Sequence, residues 1–331
     1  LARVYEYQDD NATADELSEK ALDYPQNYCP SGGLLMTVGI DVQRNPSRLA
    51  IVKRAWGRDE ESWGTLWQEI NAREDLNDKN DPVWDDLEHI VFGPTQHESG
   101  SAIYASAVTI DSSDGMTNAA VYGWVRKMIK KYPNVLVMAG KGSSSQGDPE
   151  IFSTPRLKGV DHNNPKKQTK ADKYGLKVYQ IGTNKAKDLL AGRFKLSGFG
   201  PGRHHIYKDV RSDYFDQVTG EVKAPHRTVR NKKIWQQKSG SAVEAWDCEV
   251  YALHAAHAKR VHLMQPAGWD AIENRLLQTE MFSAETENQE PTEDRSTGVS
   301  EESQEKAAAP KSIRDPGRSS SLADLGRRMN S

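Results

Sequence analysis

An α/β domain built on one mixed central sheet is the fold class this sequence predicts, and three observations carry it. From Leu34 to Ile70 the chain holds three strand-length segments, rich in β-branched and aromatic residues and joined by short connections. Beyond Asp81, helical and extended patterns alternate instead. The 331 residues, 36% of them hydrophobic, suffice to bury a sizeable core. A meander followed by helix-linked strands gives a sheet of mixed direction with helices packed on it.

The elements follow in order. Residues 1–33 read as a polar leader with one short helix, because Thr13 and Glu16 form a capping box ahead of Leu17, Ala21 and Leu22. The chain does not begin with Met, so the leader is expected to be a linker from an N-terminal domain lying upstream. The strands LLMTVGIDVQ, RLAIVKRAWG and ESWGTLWQEI come next, turning near Asn45-Pro46 and Arg58-Asp59. Asp81-Pro82 opens a helix to about Val91, AIYASAVTID is a strand, residues 117–131 are a helix with a basic last turn, and Asn134–Ala139 is a fifth strand. Residues 140–175, rich in Gly, Ser, Asn, Pro and Lys, read as long functional loops. A helix is predicted at 184–192, and RFKL with HHIY around GFGPG reads as an auxiliary β-hairpin with two basic arms. Helical spacing of Val243, Trp246, Val250, Leu253 and His257 predicts a closing helix from about Ser241 to His262. The domain is expected to span 34–265. Residues 266–331 are expected to be mostly a disordered tail, because the composition after Phe282 cannot bury enough apolar surface.

The net charge of −3 hides a division. Residues 1–120 hold 22 acidic and 9 basic side chains, whereas residues 121–282 hold 15 and 28. The basic stretch suits a nucleic-acid face, and an acidic one meets phosphate only through cations or a second partner. Cys29 and Cys248 are too far apart for a thiolate metal motif, and a reducing compartment is the simplest setting. No apolar run is long enough for a membrane span and no signal peptide opens the chain, so a soluble, intracellular protein is expected. The chain lacks a G-x-x-x-x-G-K-[ST] loop: Gly140-Lys141-Gly142 has neither the spacing nor the hydroxyl residue, and ATP hydrolysis is not expected of it.

Three carboxylates stand where an apolar element meets solvent: Asp41, Asp111 and Asp247. A strand-end aspartate taken singly is more often a turn or cap residue. If the first two strands are neighbours, Asp41 and Asp111 emerge at one sheet edge, and a helix crossing that edge brings in Asp247. Carboxylates so gathered repel each other unless a divalent cation neutralises them, and oxygen ligands without Cys or His favour Mg²⁺ or Mn²⁺. Two such ions would make a phosphodiester hydrolysis site.

The segments GIDVQ at 39–43, Trp56-Gly57, ESW at 61–63, TIDSSDG at 109–115, AGKGSS at 139–144, IGTNKAKDLLAGRFKL at 181–196, KKIW and VEAWDCEVYALHA at 232–255 together resemble the nuclease domain of lambda-type phage terminase large subunits. The likeness covers about 34–260, and Gly240-Ser241-Ala242-Val243 departs from it by lacking the usual basic and Asn residues before Glu244. The resemblance implies an RNase H-like fold in which Asp41, Asp111 and Asp247 hold two Mg²⁺ or Mn²⁺ ions and cut double-stranded DNA during packaging. Glu244 completes or tunes the site, or is simply a first-turn acid favoured by the helix dipole. Asp114 is an outer-shell candidate or a turn residue. Lys141 is expected at the scissile phosphate or, on the alternative reading, as a solvated loop lysine.

Lys166, Lys167, Lys170, Arg193, Lys195 and Arg203 are candidates for DNA backbone contacts, joined by His204 and His205. Adjacent strand histidines face opposite ways and should not share an ion. Trp56, Trp63, Trp67 and Trp84 are expected to fill or flank the core. The implied partners are the ATPase domain of the full-length protein, the portal and the small terminase subunit, in the host cytoplasm. Two other readings stay open: a junction resolvase or transposase-type nuclease, and a portal-docking module whose SSSLADLGRRMNS end binds the ring while cleavage is latent.

Overall fold

Side chains alternate between the two faces of a sheet, and Thr37-Val38-Gly39-Ile40-Asp41 uses that period to sort small and polar residues from branched ones. The computed structural model describes residues 11–143, 149–155, 175–225 and 233–287. After helix α1 (Ala14–Glu19) and strand β1 (Tyr28–Cys29), strands β2 (Leu35–Gln43), β3 (Arg48–Trp56) and β4 (Ser62–Asn71) form the expected antiparallel meander. Helix α2 (Val83–Phe92) and short strands β5 (Thr95–His97) and β6 (Ala102–Ile103) lead into β7 (Ala105–Asp111), helix α3 (Asn118–Lys131) and β8 (Leu136–Gly142). Then come β9 (Val178–Ile181), α4 (Thr183–Phe194), β10 (His204–Ile206), α5 (Asp213–Val218), the hairpin β11 (Glu221–Pro225) and β12 (Lys233–Gln237), α6 (Glu244–Ala258) and α7 (Pro266–Glu287).

The main sheet has the order β10-β4-β3-β2-β7-β8-β9, and every strand in it except β3 points the same way. Val38, Ile40, Val108 and Ile110 pack with Leu87, Val91, Val121 and Val125 of α2 and α3 on one face. On the other face Ala50, Val52 and Trp56 meet Leu190 and Phe194 of α4, Tyr214 and Phe215 of α5, and Trp246, Cys248 and Leu253 of α6. Trp56, Trp63, Trp67 and Trp84 are all buried, as core residues should be. The leader packs on this body as well, through buried Tyr24 and Cys29, with the Thr13–Glu16 capping box in place.

Two expectations are corrected. The basic hairpin around GFGPG does not form: Ala186, Leu190 and Phe194 keep helical spacing, so α4 runs through Arg193 to Phe194. Gly198, Gly200 and Gly202 then take positive φ in a loop that delivers His204–Ile206 to the edge of β4 as a parallel strand, and the hairpin of this fold is β11–β12. Helical order also continues past 265, because α7 anchors itself through Trp269, which is buried in the core. The remainder of the expected tail, 288–331, lies outside the described residues.

One charged pair lies deep in this core. Arg54 of β3 donates from Nε and Nη2 to Glu249 of α6 at 2.7 Å each, and Tyr214 donates to the same carboxylate at 2.7 Å. Burial pushes Glu249 up, but Arg54 and His204 outweigh it and hold the carboxyl well below its usual range. Arg54→Met should lower the unfolding free energy in urea by about 3–5 kcal/mol, since Glu249 would stay buried without its partner. Adding Glu249→Leu should restore most of that loss, and a double variant as weak as the single one would contradict the account.

Candidate active site

Strands β2 and β7 are adjacent and parallel with Ile40 opposite Ile110, so Asp41 and Asp111 leave the sheet side by side at its C-terminal edge. Alternation turns Thr37, Gly39 and Asp41 of β2, and Ala107, Thr109 and Asp111 of β7, toward α6. These small and polar residues let the helix lie directly on the strands. A Cβ on Gly39 would stand 1.9 Å from the Cys248 carbonyl oxygen and 2.6 Å from the Ala252 nitrogen. Thr37 Oγ1 donates to the Ala252 carbonyl at 3.0 Å, Cys248 Sγ to the Ala50 carbonyl at 3.2 Å, and Thr109 Oγ1 bonds His254 Nδ1 at 2.9 Å. The start of α6 is held as well, where Gln217 of α5 accepts from the Ala245 N–H at 2.9 Å. Asp247, in the first turns of this clamped helix, is near enough for its charge to act on both strand-end carboxylates.

The three carboxylates feel one another. Burial pushes Asp41 well above the usual carboxylate range, Asp247 and then Asp111 push it further, and the Gln43 amide opposes by donating to Asp41 Oδ2 at 2.6 Å. Asp111 is likewise raised by burial, against the Ser113 hydroxyl at 2.7 Å and the Ser113 N–H at 3.2 Å, with Asp247 and Tyr251 also acting on it. Asp247 is more open, with 27% of its side chain exposed, and Lys187 of α4 reaches its Oδ1 at 2.9 Å. Glu244 turns aside: Arg48 of β3 holds it at 2.6 Å, and its own Oε2 accepts from the Val243 N–H at 3.0 Å. Among the described residues no three Asp, Glu, His or Cys side chains are already drawn to metal-ligand spacing. Each of the three carboxylates has its own partner instead: Gln43 for Asp41, Ser113 for Asp111 and Lys187 for Asp247.

A family profile described as the endonuclease domain of the terminase large subunit gpA matches residues 1–269. The chain belongs to this family. The terminase large subunit of Escherichia phage lambda is 28% identical over 229 residues, which cover 66% of this chain and 32% of the lambda protein. The chain thus spans about a third of that relative's length. No solved structure matches.

In this terminase nuclease domain Asp41 and Asp111 end adjacent strands and the charge of Asp247 acts on both, while other predicted residues divide. Asp114 caps its own turn, accepting from the Met116 N–H at 3.0 Å, and lies 3.9 Å from Arg44. Lys141 follows Val137 and Ala139 onto the α3 side of β8, exposed at the edge but on the opposite face from Asp111. Arg193 is a correction: it is 5% exposed, pairs with Glu60 at 2.7 Å and stacks its guanidinium over Trp56, so it is a core cation and no phosphate contact. Lys195 and Arg203 sit with it at the other end of the sheet, where Arg203 precedes the row His204–Ser62–Trp56–Leu35. Six strand residues, about 20 Å, separate that row from Asp41. Lys166, Lys167 and Lys170 lie outside the described residues. His204 and His205 do face opposite ways, His204 toward Glu249 and Phe194 and His205 toward Glu61 and Trp63.

Residue-by-residue reading of the sequence missed Lys187, Glu221, Arg48 and Tyr251. Lys187 left a trace, because it interrupts the apolar stripe Ala186, Leu190 and Phe194 of α4, and a charge there needs a buried partner. Its partners are Glu221, with both oxygens at 2.8 Å, and Asp247. Nothing in the local sequence points to Glu221 on the hairpin. No helix among the described residues is long and apolar enough to cross a membrane.

Proposed function

We propose that this domain is an RNase H-like endonuclease that cuts concatemeric double-stranded DNA during phage genome packaging, by phosphodiester hydrolysis at Asp41, Asp111 and Asp247. The observation that carries the reading is the pairing of Ile40 with Ile110, which sets two buried, mutually repelling carboxylates side by side beneath the third on α6. The strand order β4-β3-β2-β7-β8, with β3 alone reversed, supports the RNase H-like assignment.

The donor set suits hard divalent cations. Asp41, Asp111 and Asp247 offer only oxygen ligands, and burial together with mutual repulsion makes the first two costly to keep ionised without a cation. Two Mg²⁺ or Mn²⁺ ions, when bound, would lower the pKa of the attacking water and stabilise the leaving 3′-oxygen. Glu244, fixed by Arg48, keeps the negative field around Asp41. Tyr251 and Ser113 orient Asp111. Lys141 reaches a phosphate only by curling round the sheet edge. An ATPase domain preceding this one in the full-length protein, the portal and the small terminase subunit are the partners of this reading, and the host cytoplasm is its setting.

The test is cleavage of supercoiled, linear and four-way DNA in Mn²⁺. Both duplex substrates should be cut, and Asp247→Ala should cut neither while keeping its circular dichroism spectrum. Undiminished cutting by that variant would remove the assignment, and a strong preference for the four-way substrate would point to a junction resolvase instead.

A further inference from the structure

The hard-to-explain group at this site is a cation. Lys187 is 7% exposed, and its ammonium lies within 2.9 Å of Asp247 Oδ1 and 2.8 Å of both Glu221 oxygens. Burying a lysine is costly unless its charge is matched, and here two carboxylates from different elements, α6 and β11, match it. The hairpin that carries Glu221 is fastened to α4 one residue further on. Lys223 Nζ bonds both oxygens of Asp188 at 2.6 Å, and Trp235 Nε1 bonds Asp188 at 2.9 Å. Glu221 is therefore held in place whether or not Asp247 keeps its share of the ammonium. Asp247 has the most open side chain of the three carboxylates and is the one already engaged by a cation.

We propose that Lys187 is the resident counter-cation of the site: it occupies Asp247 until a divalent ion takes that carboxylate, and Glu221 then retains the ammonium. This inference rests on the metal-dependent reading above. Lys187 and Glu221 are positioning residues, and their effects on metal affinity have opposite signs. Removing the ammonium frees Asp247 and deletes a repulsive charge beside the incoming ion, so metal binds more tightly. Neutralising Glu221 leaves Asp247 as the ammonium's sole charged acceptor among the described residues and weakens metal binding. A purely structural role predicts weaker binding in both cases, because either change would loosen the contact between α4, α6 and the hairpin.

The measurement is Mn²⁺ affinity of the 331-residue chain by isothermal titration, without DNA, beside the Mn²⁺ concentration giving half-maximal cleavage. Lys187→Met should bind Mn²⁺ about tenfold more tightly, and Glu221→Gln several-fold more weakly, with half-maximal cleavage shifting in the same directions. Equal or weaker binding by folded Lys187→Met would overturn the proposal. Should that variant fail to fold, Lys187→Gln, which loses the charge but keeps a donor for Glu221, decides: equal or weaker Mn²⁺ binding overturns the proposal. Failure of the underlying reading looks different, since wild type and Asp41→Ala would then bind Mn²⁺ equally or not at all.

Discussion

Asp41→Ala is expected to reduce DNA cleavage at least about 10³-fold, equivalent to roughly 4 kcal/mol of lost transition-state stabilisation. Asp41 is buried, pairs with Ala50 on one side in the sheet and stands beside Asp111 on the other, so no neighbouring acid can rotate into its place. The isosteric Asp41→Asn should lose cleavage equally, yet its fold should become more stable when metal is withheld. The sign follows from the direction of the shift. An aspartate raised above its ordinary 3.8 makes the folded state take up protons, so stability falls as pH rises from that value through the raised one. The penalty grows as pH rises above 3.8, and the asparagine removes it while still accepting from Gln43. In EDTA, Asp41→Asn should therefore melt above wild type at about pH 7 and lose that advantage toward about pH 4. A lower melting temperature at neutral pH would show that the charge is not strained, and retained cleavage would dismiss Asp41 from the chemistry.

Gly39→Ala should be the most disruptive single-carbon change in the domain. The added Cβ would lie 1.9 Å from the Cys248 carbonyl oxygen, with Ala252 N at 2.6 Å, so helix backbone has to move and no flexible side chain can yield instead. Overpacking of this kind costs about 1–3 kcal/mol, and here the upper end is expected because the obstacle is main chain. Function should suffer beyond stability. Thr37 and Cys248 fasten α6 to β2 and β3 on either side of the collision, and Asp247 rides on the same turn. A shift of about 1 Å there misplaces the third carboxylate, which is enough to cost on the order of 100-fold in rate. Urea unfolding and cleavage by the folded fraction measure the two losses separately. A variant with wild-type stability and activity would mean that α6 does not depend on close approach at Gly39.

The strands and helices that bear the acids were legible because each carries its own local signal. LLMTVGI and AIYASAVTI are apolar runs that must end in solvent, and their last residues are Asp41 and Asp111. The same segments also hold a finer signal: Thr-x-Gly-x-Asp and Ala-x-Thr-x-Asp place small residues on one face, which is what a closely packed helix requires. The GFGPG segment misled because its flanks look basic and extended, whereas α4 is fixed by spacing on the buried side and β10 by an edge of β4 that is distant in sequence. Arg193 shows the same limit, since Glu60 and Trp56 are more than 130 positions away from it.

The amino-acid order by itself determined the class of fold and the family likeness and singled out the three acids as candidates, since strand period, helix period and motif order are local properties of a chain. Only the tertiary structure decided that Lys187 and Glu221 lie beside Asp247, that Lys141 lies on the far face of β8, and that Arg193, Lys195 and Arg203 lie at the opposite end of the sheet from Asp41. Charge pairing acts over a few ångströms of space regardless of sequence separation, so partners from α4, α6 and β11 acquire their roles only once the sheet has set its strand order.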